Sequence, residues 1–273
     1  MNTQVPMSAL ASVALLGSAL ACDSRYPPSA PAASQLNARI AAEDQERVCT
    51  DAGLKDAYGF YRTGTTGAGS YAAVGLATYD GAGNWTATQT ISRGGVFTKD
   101  VTSAGQYEVS ADCSGKLFSG GQEVARFALS DKGRQLFMLS VIPGETVWGV
   151  ERSVLRGGCT NGSLDGTYGF YRTGTTSAGP LAAVGIATYD GAGNSTATQT
   201  ISRNGTISAA PPITAPYEVS ADCTGRLINA LTGQEFARFV VVDRGNEIFQ
   251  LSLAAGNAVT GVQRRVKRES SEE

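Results

Sequence analysis

Along most of the chain, apolar and polar residues alternate in short runs broken by Gly, Asn, Asp and Pro. Phe137, Leu139 and Val141 fall on one side of an extended segment, and Phe249, Leu251 and Leu253 do the same. Phe127 and Leu129 share a side, with Arg126 and Ala128 opposite. A period of two residues belongs to a β-strand. Residues 57–154 therefore divide into eight strands, at 57–63, 72–79, 85–92, 106–111, 116–119, 123–129, 134–141 and 146–154. A glycine-rich loop is expected at 64–70, and Asp80-Gly81-Ala82-Gly83-Asn84 reads as a hairpin turn. No helical stripe crosses this region. The best helix candidate, QLNARIAAEDQERV, precedes it at 35–48.

The pattern then repeats. YGFYRTGTT stands at 58–66 and at 168–176, and AAVGLATYDGAGN at 72–84 returns as AAVGIATYDGAGN at 182–194. TATQTISR recurs at 86–93 and 196–203, and YEVSADC at 107–113 and 217–223. After Cys223 the second copy gains two residues, and the likeness runs on to Arg152 and Arg264. A unit of roughly 105 residues is too long for a stacked solenoid repeat and long enough to hold its own core. The organisation read here is a leader at 1–21, a Pro/Ala/Ser tether at 22–48, repeat 1 at 49–156, repeat 2 at 157–268 and a tail at 269–273. Eight short antiparallel strands per unit suit a closed up-and-down barrel, which leaves no exposed edge. The fold class is all-β, two tandem eight-stranded antiparallel barrels, with a pair of two-sheet sandwiches as the alternative.

Cysteine spacing follows the repeat. Cys49 and Cys113 occupy the places in the first copy that Cys159 and Cys223 occupy in the second. Of the three pairings open to four cysteines, the symmetry favours one bridge within each copy. Each bridge would close a loop of roughly 65 residues, worth about 4 kcal/mol in the chain-entropy model. A four-cysteine zinc site is the other use of these residues, but no C-x-x-C spacing supports it. The fifth cysteine, Cys22, follows MSALASVALLGSALA at 7–21, an uncharged apolar stretch ending in a small-x-small cleavage pattern. Ala-Leu-Ala-Cys resembles the lipobox of bacterial lipoproteins, with Ala19 where that motif has leucine and no Lys or Arg ahead of it. Lipidation of Cys22 is the implication. The expected address is the bacterial cell envelope or the medium, with membrane attachment only through that lipid.

The pattern Leu-x-x-x-Tyr-Gly-Phe at 54–60 and 164–170, followed by Ala-Ala-Val-Gly, Asp-Gly-x-Gly-Asn and Tyr-x-Val-x-x-Asp-Cys-x-Gly at 107–115 and 217–225, resembles a group of exported bacterial proteins of unknown function. The likeness spans both repeats. It further implies small barrels of the allene-oxide-cyclase or lipocalin type. The shared residues are glycines, turn residues and cysteines, which carry a fold rather than a reaction.

Composition narrows the chemistry. The chain has no histidine, which removes the usual Ser-His-Asp and Cys-His arrangements and the commonest transition-metal ligand. A net charge of −2 leaves no basic field for nucleic acid. The basic run at 264–268 passes directly into acidic residues, as a solvated tail does. Ala82 stands where a calcium loop would need a ligand, so 80–84 is read as a turn. Gly64–Gly69 lacks the Gly-Lys-Ser/Thr of a phosphate loop. The four Asn-x-Ser/Thr triplets are read as chance in a chain rich in these residues. No metal or cofactor is expected.

Charged residues present in both copies are the candidate ligand contacts: Arg62, Glu108 and Arg126, with Arg172, Glu218 and Arg238. Turned inward, they would have to pair with one another, because an unpaired buried charge is costly. Turned outward, they would be solvated wall residues. Three functions follow. The preferred one is a non-catalytic envelope protein whose barrels take a small apolar ligand or serve structurally. The second is a cyclase or isomerase that folds a substrate in an apolar barrel, chemistry that rests on positioning. The third is an adhesive module with filled barrels. Whether the barrels are hollow decides among them.

Overall fold

The structure, a computed structural model, is described from Cys49 to Val266. The leader, Cys22, the tether, the helix candidate at 35–48 and the tail beyond 266 lie outside the described residues. Repeat 1 forms β1 (Lys55–Thr66), β2 (Gly69–Asp80), β3 (Asn84–Arg93), β4 (Val96–Val109), β5 (Ser114–Ser119), β6 (Gln122–Ser130), β7 (Gln135–Ser140) and β8 (Thr146–Ser153). Repeat 2 forms β9 (Asp165–Thr176), β10 (Gly179–Asp190), β11 (Asn194–Arg203), β12 (Thr206–Val219), β13 (Thr224–Ile228), β14 (Glu235–Val242), β15 (Glu247–Ser252) and β16 (Ala258–Arg265). Each strand pairs antiparallel with the next. β1 also pairs with β8, and β9 with β16, so both sheets close into barrels rather than splitting into sandwiches. Closed eight-stranded barrels agree with the lipocalin-type likeness of the sequence.

Turn chemistry sets the register. Asp80 Oδ1 accepts from the backbone N–H of Ala82 (2.7 Å) and Asn84 (3.0 Å), while Oδ2 accepts from Asn84 Nδ2 (2.7 Å). Asp190 holds the β10–β11 turn in the same way. The carboxylate of each turn is therefore engaged by its own loop.

Two expectations need correction. The glycine-rich stretch at 64–70 is not a loop: pairing continues to Thr66 opposite Gly69, leaving a two-residue hairpin at Gly67-Ala68. Residues 96–105, assigned to no strand above, are the first part of the long β4. There the alternation is broken by a bulge, where Asp100 takes a left-handed φ of 56° and the register with β3 shifts between Gln89 and Ile91.

One end of each barrel is sealed. Leu54 and Leu164 are fully buried there, and Tyr58, Tyr79 and Tyr107 stack edge to face with centroids 5.5 and 5.3 Å apart. Tyr107 donates to the carbonyls of Asp51 (2.9 Å) and Leu54 (2.8 Å), and Tyr58 donates to Gly133 O (2.6 Å). Tyr168, Tyr189 and Tyr217 build the same seal in repeat 2. Disulfides Cys49–Cys113 and Cys159–Cys223 latch this end, with Cα atoms 5.0 and 4.9 Å apart. The pairing is the one the repeat symmetry favoured.

The barrels pack on each other through outer walls. Tyr61, Ala72 and Val74 on β1 and β2 lie against Val240, Val242, Phe249, Leu251 and Val262 on β14–β16. Tyr61 meets Phe249 edge to face at 5.0 Å. Gly59 permits the approach: a Cβ there would stand 2.5 Å from methyls of both Val240 and Val242. Arg152 spans the seam to Glu247 (2.9 Å) and Asp243 (3.4 Å).

Candidate functional site

In β1 the inward row runs Tyr58, Phe60, Arg62, because side chains of a strand alternate between interior and wall. Above the sealed end, Phe60, Trp85, Leu117, Phe127, Leu136 and Met138 fill the lower interior of barrel 1. Arg62 lies over the Phe60 ring, its carbon 4.4 Å from the centroid, and its Nη2 donates to Glu151 Oε1 at 3.2 Å. Glu151 is fully buried, and its other oxygen accepts from Tyr79 (2.9 Å). Burial pushes the Glu151 carboxyl above its ordinary value, while Arg62 and Tyr79 pull it back. Burial also raises the Tyr79 hydroxyl well above the usual phenol range, so it stays a neutral donor at physiological pH.

Beyond this layer barrel 1 is hollow. A cavity of about 600 Å³ opens at the end opposite the disulfide. Its floor and walls include Arg62, Gln89, Trp85, Leu117, Met138 and Val147, and Arg93, Glu145, Ile142 and Trp148 stand toward the mouth. Two buried polar atoms on this lining, Arg62 Nε and Gln89 Oε1, have no hydrogen-bond partner among the described residues. Glu151 sits beneath Arg62 and is not on the lining, so the carboxylate on the cavity wall is Glu145, bonded to Ser140 Oγ (2.8 Å). The arrangement offers the cations Arg62 and Arg93, the acceptors Gln89 and Glu145, and a largely apolar body of wall.

Repeat 2 uses the same backbone and fills it. Ser195 replaces Trp85, Gln250 replaces Met138 and Gln263 replaces Glu151, while Phe236 takes the place of Val124. A cavity of about 60 Å³ in this barrel is lined by residues including Phe170, Arg172, Gln199, Phe236, Gln250 and Gln263.

The structure separates the six charged residues singled out in the sequence. Arg62 and Arg172 point into their barrels. Glu108 and Arg126 are exposed on the wall of barrel 1, where Arg126 pairs with Glu123 at 2.6 Å, so the inward network of Arg62, Glu108 and Arg126 does not form. Glu218 is also exposed and pairs with Arg226 (2.7 Å). Arg238 lies on the outer wall of barrel 2, where it pairs with Glu235 (3.3 Å), and it reaches Asp100 (2.5 Å) and Thr90 (3.0 Å) of barrel 1. Glu218 and Arg238 share a groove of about 440 Å³ between the barrels. Sequence reasoning passed over Gln89, Trp85 and Glu151. The signal available was their place: Trp85 and Glu151 are where the two copies differ, to Ser195 and Gln263.

No protein-family model matches the chain, and no curated protein matches it. Among solved structures, one that it resembles is a protein of unknown function from the DUF3598 family of Nostoc punctiforme PCC 73102. The two are 12% identical, the alignment covers 78% of this chain and 97% of that one, and the TM-score is 0.24.

Proposed function

We propose that this is an exported, non-catalytic binding protein whose first barrel holds one small amphipathic molecule. The carrying observation is the hollow of barrel 1, where Arg62 Nε and Gln89 Oε1 are buried without partners beside an otherwise largely apolar wall. A buried donor and acceptor left unpaired are costly, and a ligand with an acceptor and a donor at one end would satisfy both. The volume falls within the range of small-molecule sites. Arg62 anchors the polar end, and Trp85, Ile91, Val101 and Met138 receive the apolar body.

Two disulfides fit an oxidising compartment. With the apolar leader and the Ala-Leu-Ala-Cys22 sequence they support export, with lipid on Cys22 holding the mature protein to the envelope. The group of exported bacterial proteins with the Tyr-Gly-Phe and Asp-Cys-x-Gly repeats is the family this reading favours.

The test is native mass spectrometry of the mature protein made in its own host. One small molecule per chain is expected, lost in Met138→Trp, which fills the cavity without touching a charge. A bare polypeptide mass in the wild type, or a ligand retained unchanged in Met138→Trp, contradicts the proposal. The same spectrum reads the acyl group on Cys22.

A further inference from the structure

Charge is balanced inside barrel 1 and unbalanced inside barrel 2. The interior and mouth of barrel 1 carry Arg62 and Arg93 with Glu151 and Glu145. Repeat 2 keeps both cations, as Arg172 and Arg203, and replaces both carboxylates by amides, Gln263 and Asn257. Among the described residues Arg172 Nε is buried with no partner, and the side chain bonded to its guanidinium is the neutral Gln199. Burial without a carboxylate at hand lowers the pKa of this guanidinium. Gln250 spends its Oε1 on Gln263 Nε2 (2.8 Å), and among the described residues its own amide N–H groups meet no acceptor. Arg172 and Gln250 line the same small cavity.

We infer that barrel 2 holds a small monoanion, a carboxylate of formate or acetate size, between Arg172 and Gln250. A buried cation without a counter-charge is strongly destabilising, and a bound anion supplies what the Glu-to-Gln replacement removed. The cavity of about 60 Å³ admits a few heavy atoms and no more. The site is independent of the ligand proposed for barrel 1. Thermal unfolding in sodium acetate, formate and chloride, against a bulky organic anion at equal ionic strength, tests it. The wild-type midpoint is expected to rise saturably with acetate and formate. Gln263→Glu, which rebuilds the ion pair of barrel 1, is expected to remove that dependence while folding at least as well without anion. Arg172→Gln is expected to remove it too. A wild type indifferent to anion identity, a response to chloride alone, or a dependence that survives in Gln263→Glu overturns the inference.

A separate observation concerns the outer walls. The seam between the barrels joins a β1–β2 face to a β14–β16 face, and on the other barrel part of each counterpart face is exposed, although Val150, counterpart of Val262, packs on the seam and Trp148 meets Tyr61 edge to face. Val184 and Ile186, counterparts of Val74 and Leu76, are 62% and 46% exposed. Phe137 and Leu139, counterparts of the buried Phe249 and Leu251, are each 51% exposed, with Trp148 beside them at 48%. We propose that a second copy of this chain covers them, the β9–β10 face of one molecule docking on the β6–β8 face of the next as the two barrels already dock within the chain. Such a contact is head to tail, so it propagates to a ring or a filament. Sedimentation across a concentration series is expected to show mass growth for the wild type and monomers for Val184→Asp or Trp148→Ser alone. Each variant retains one good face, so their mixture is expected to give a capped dimer. A wild type monomeric at every concentration, single variants that still assemble, or a mixture that stays monomeric contradicts it.

Discussion

The interior of barrel 1 turns on two residues, Arg62 and Glu151, paired at 3.2 Å. Removing the cation by Arg62→Leu leaves the buried Glu151 carboxylate with the Tyr79 hydroxyl but no counter-charge, a loss of about 3–5 kcal/mol by precedent for broken buried pairs. The loss should shrink at acid pH, where Glu151 can take up a proton; urea unfolding at two pH values reads the difference. Glu151 also sets a sign. Its folded-state pKa lies above the unfolded one, so its contribution is greatest below the unfolded value and declines as pH rises through the folded value. The thermal midpoint of the wild type should therefore fall relative to that of Glu151→Gln as pH rises from about pH 4 to about pH 8. Asp190 acts in the opposite direction. Hydrogen bonds from Asn194, its backbone N–H first, hold this carboxyl at about 2, so what it contributes is present above the ordinary carboxylate value and lost as pH falls toward 2.

At the scale of elements, the disulfides and the tyrosine seal hold the closed end. Each bridge spans 64 residues, and reducing both should lower stability by about 4 kcal/mol for each loop released, measured as a shift of the urea midpoint with and without reductant. The strands that fold this way were legible where alternation was clean: Phe127 faces Met138 across the β6–β7 ladder, and the Asp80 and Asp190 turns stand where they were expected. The bulged half of β4 was not, because Thr98, Lys99, Asp100 and Thr102 present no apolar rhythm and one extra residue shifts the face. In β12 the same stretch carries Pro211 and Pro212, and the register shifts at a different place, between Ala197 and Gln199. The direction in which an alternating row points was likewise hidden. Phe137 and Leu139 share a face as their spacing implies, yet that face is the wall, and Met138 between them is interior. Arg126 and Glu108 went outward for the same reason, since period two says which residues travel together and not which side is the core. The contrast between hollow and filled barrels was spelled in the differences between the repeats, at Trp85/Ser195, Met138/Gln250 and Glu151/Gln263, while attention to the shared residues led toward the scaffold.

For the whole molecule, the seam decides whether two barrels behave as one body. Gly59 has no room for a side chain, so Gly59→Val should force Val240 and Val242 apart and uncouple the barrels. Calorimetry should then resolve two unfolding transitions where the wild type shows one. The two copies differ inside: barrel 1 has an open interior with a paired charge at its floor, and barrel 2 carries Gln250 and Gln263 where barrel 1 has Met138 and Glu151. A crystallographic map of the host-purified protein examines this division most directly. The expected map has continuous density for one elongated molecule in barrel 1, its polar end on Arg62 and Gln89 and its body along Trp85, with no comparable feature in barrel 2. A barrel 1 collapsed onto its own side chains, or holding scattered water alone, would contradict the account.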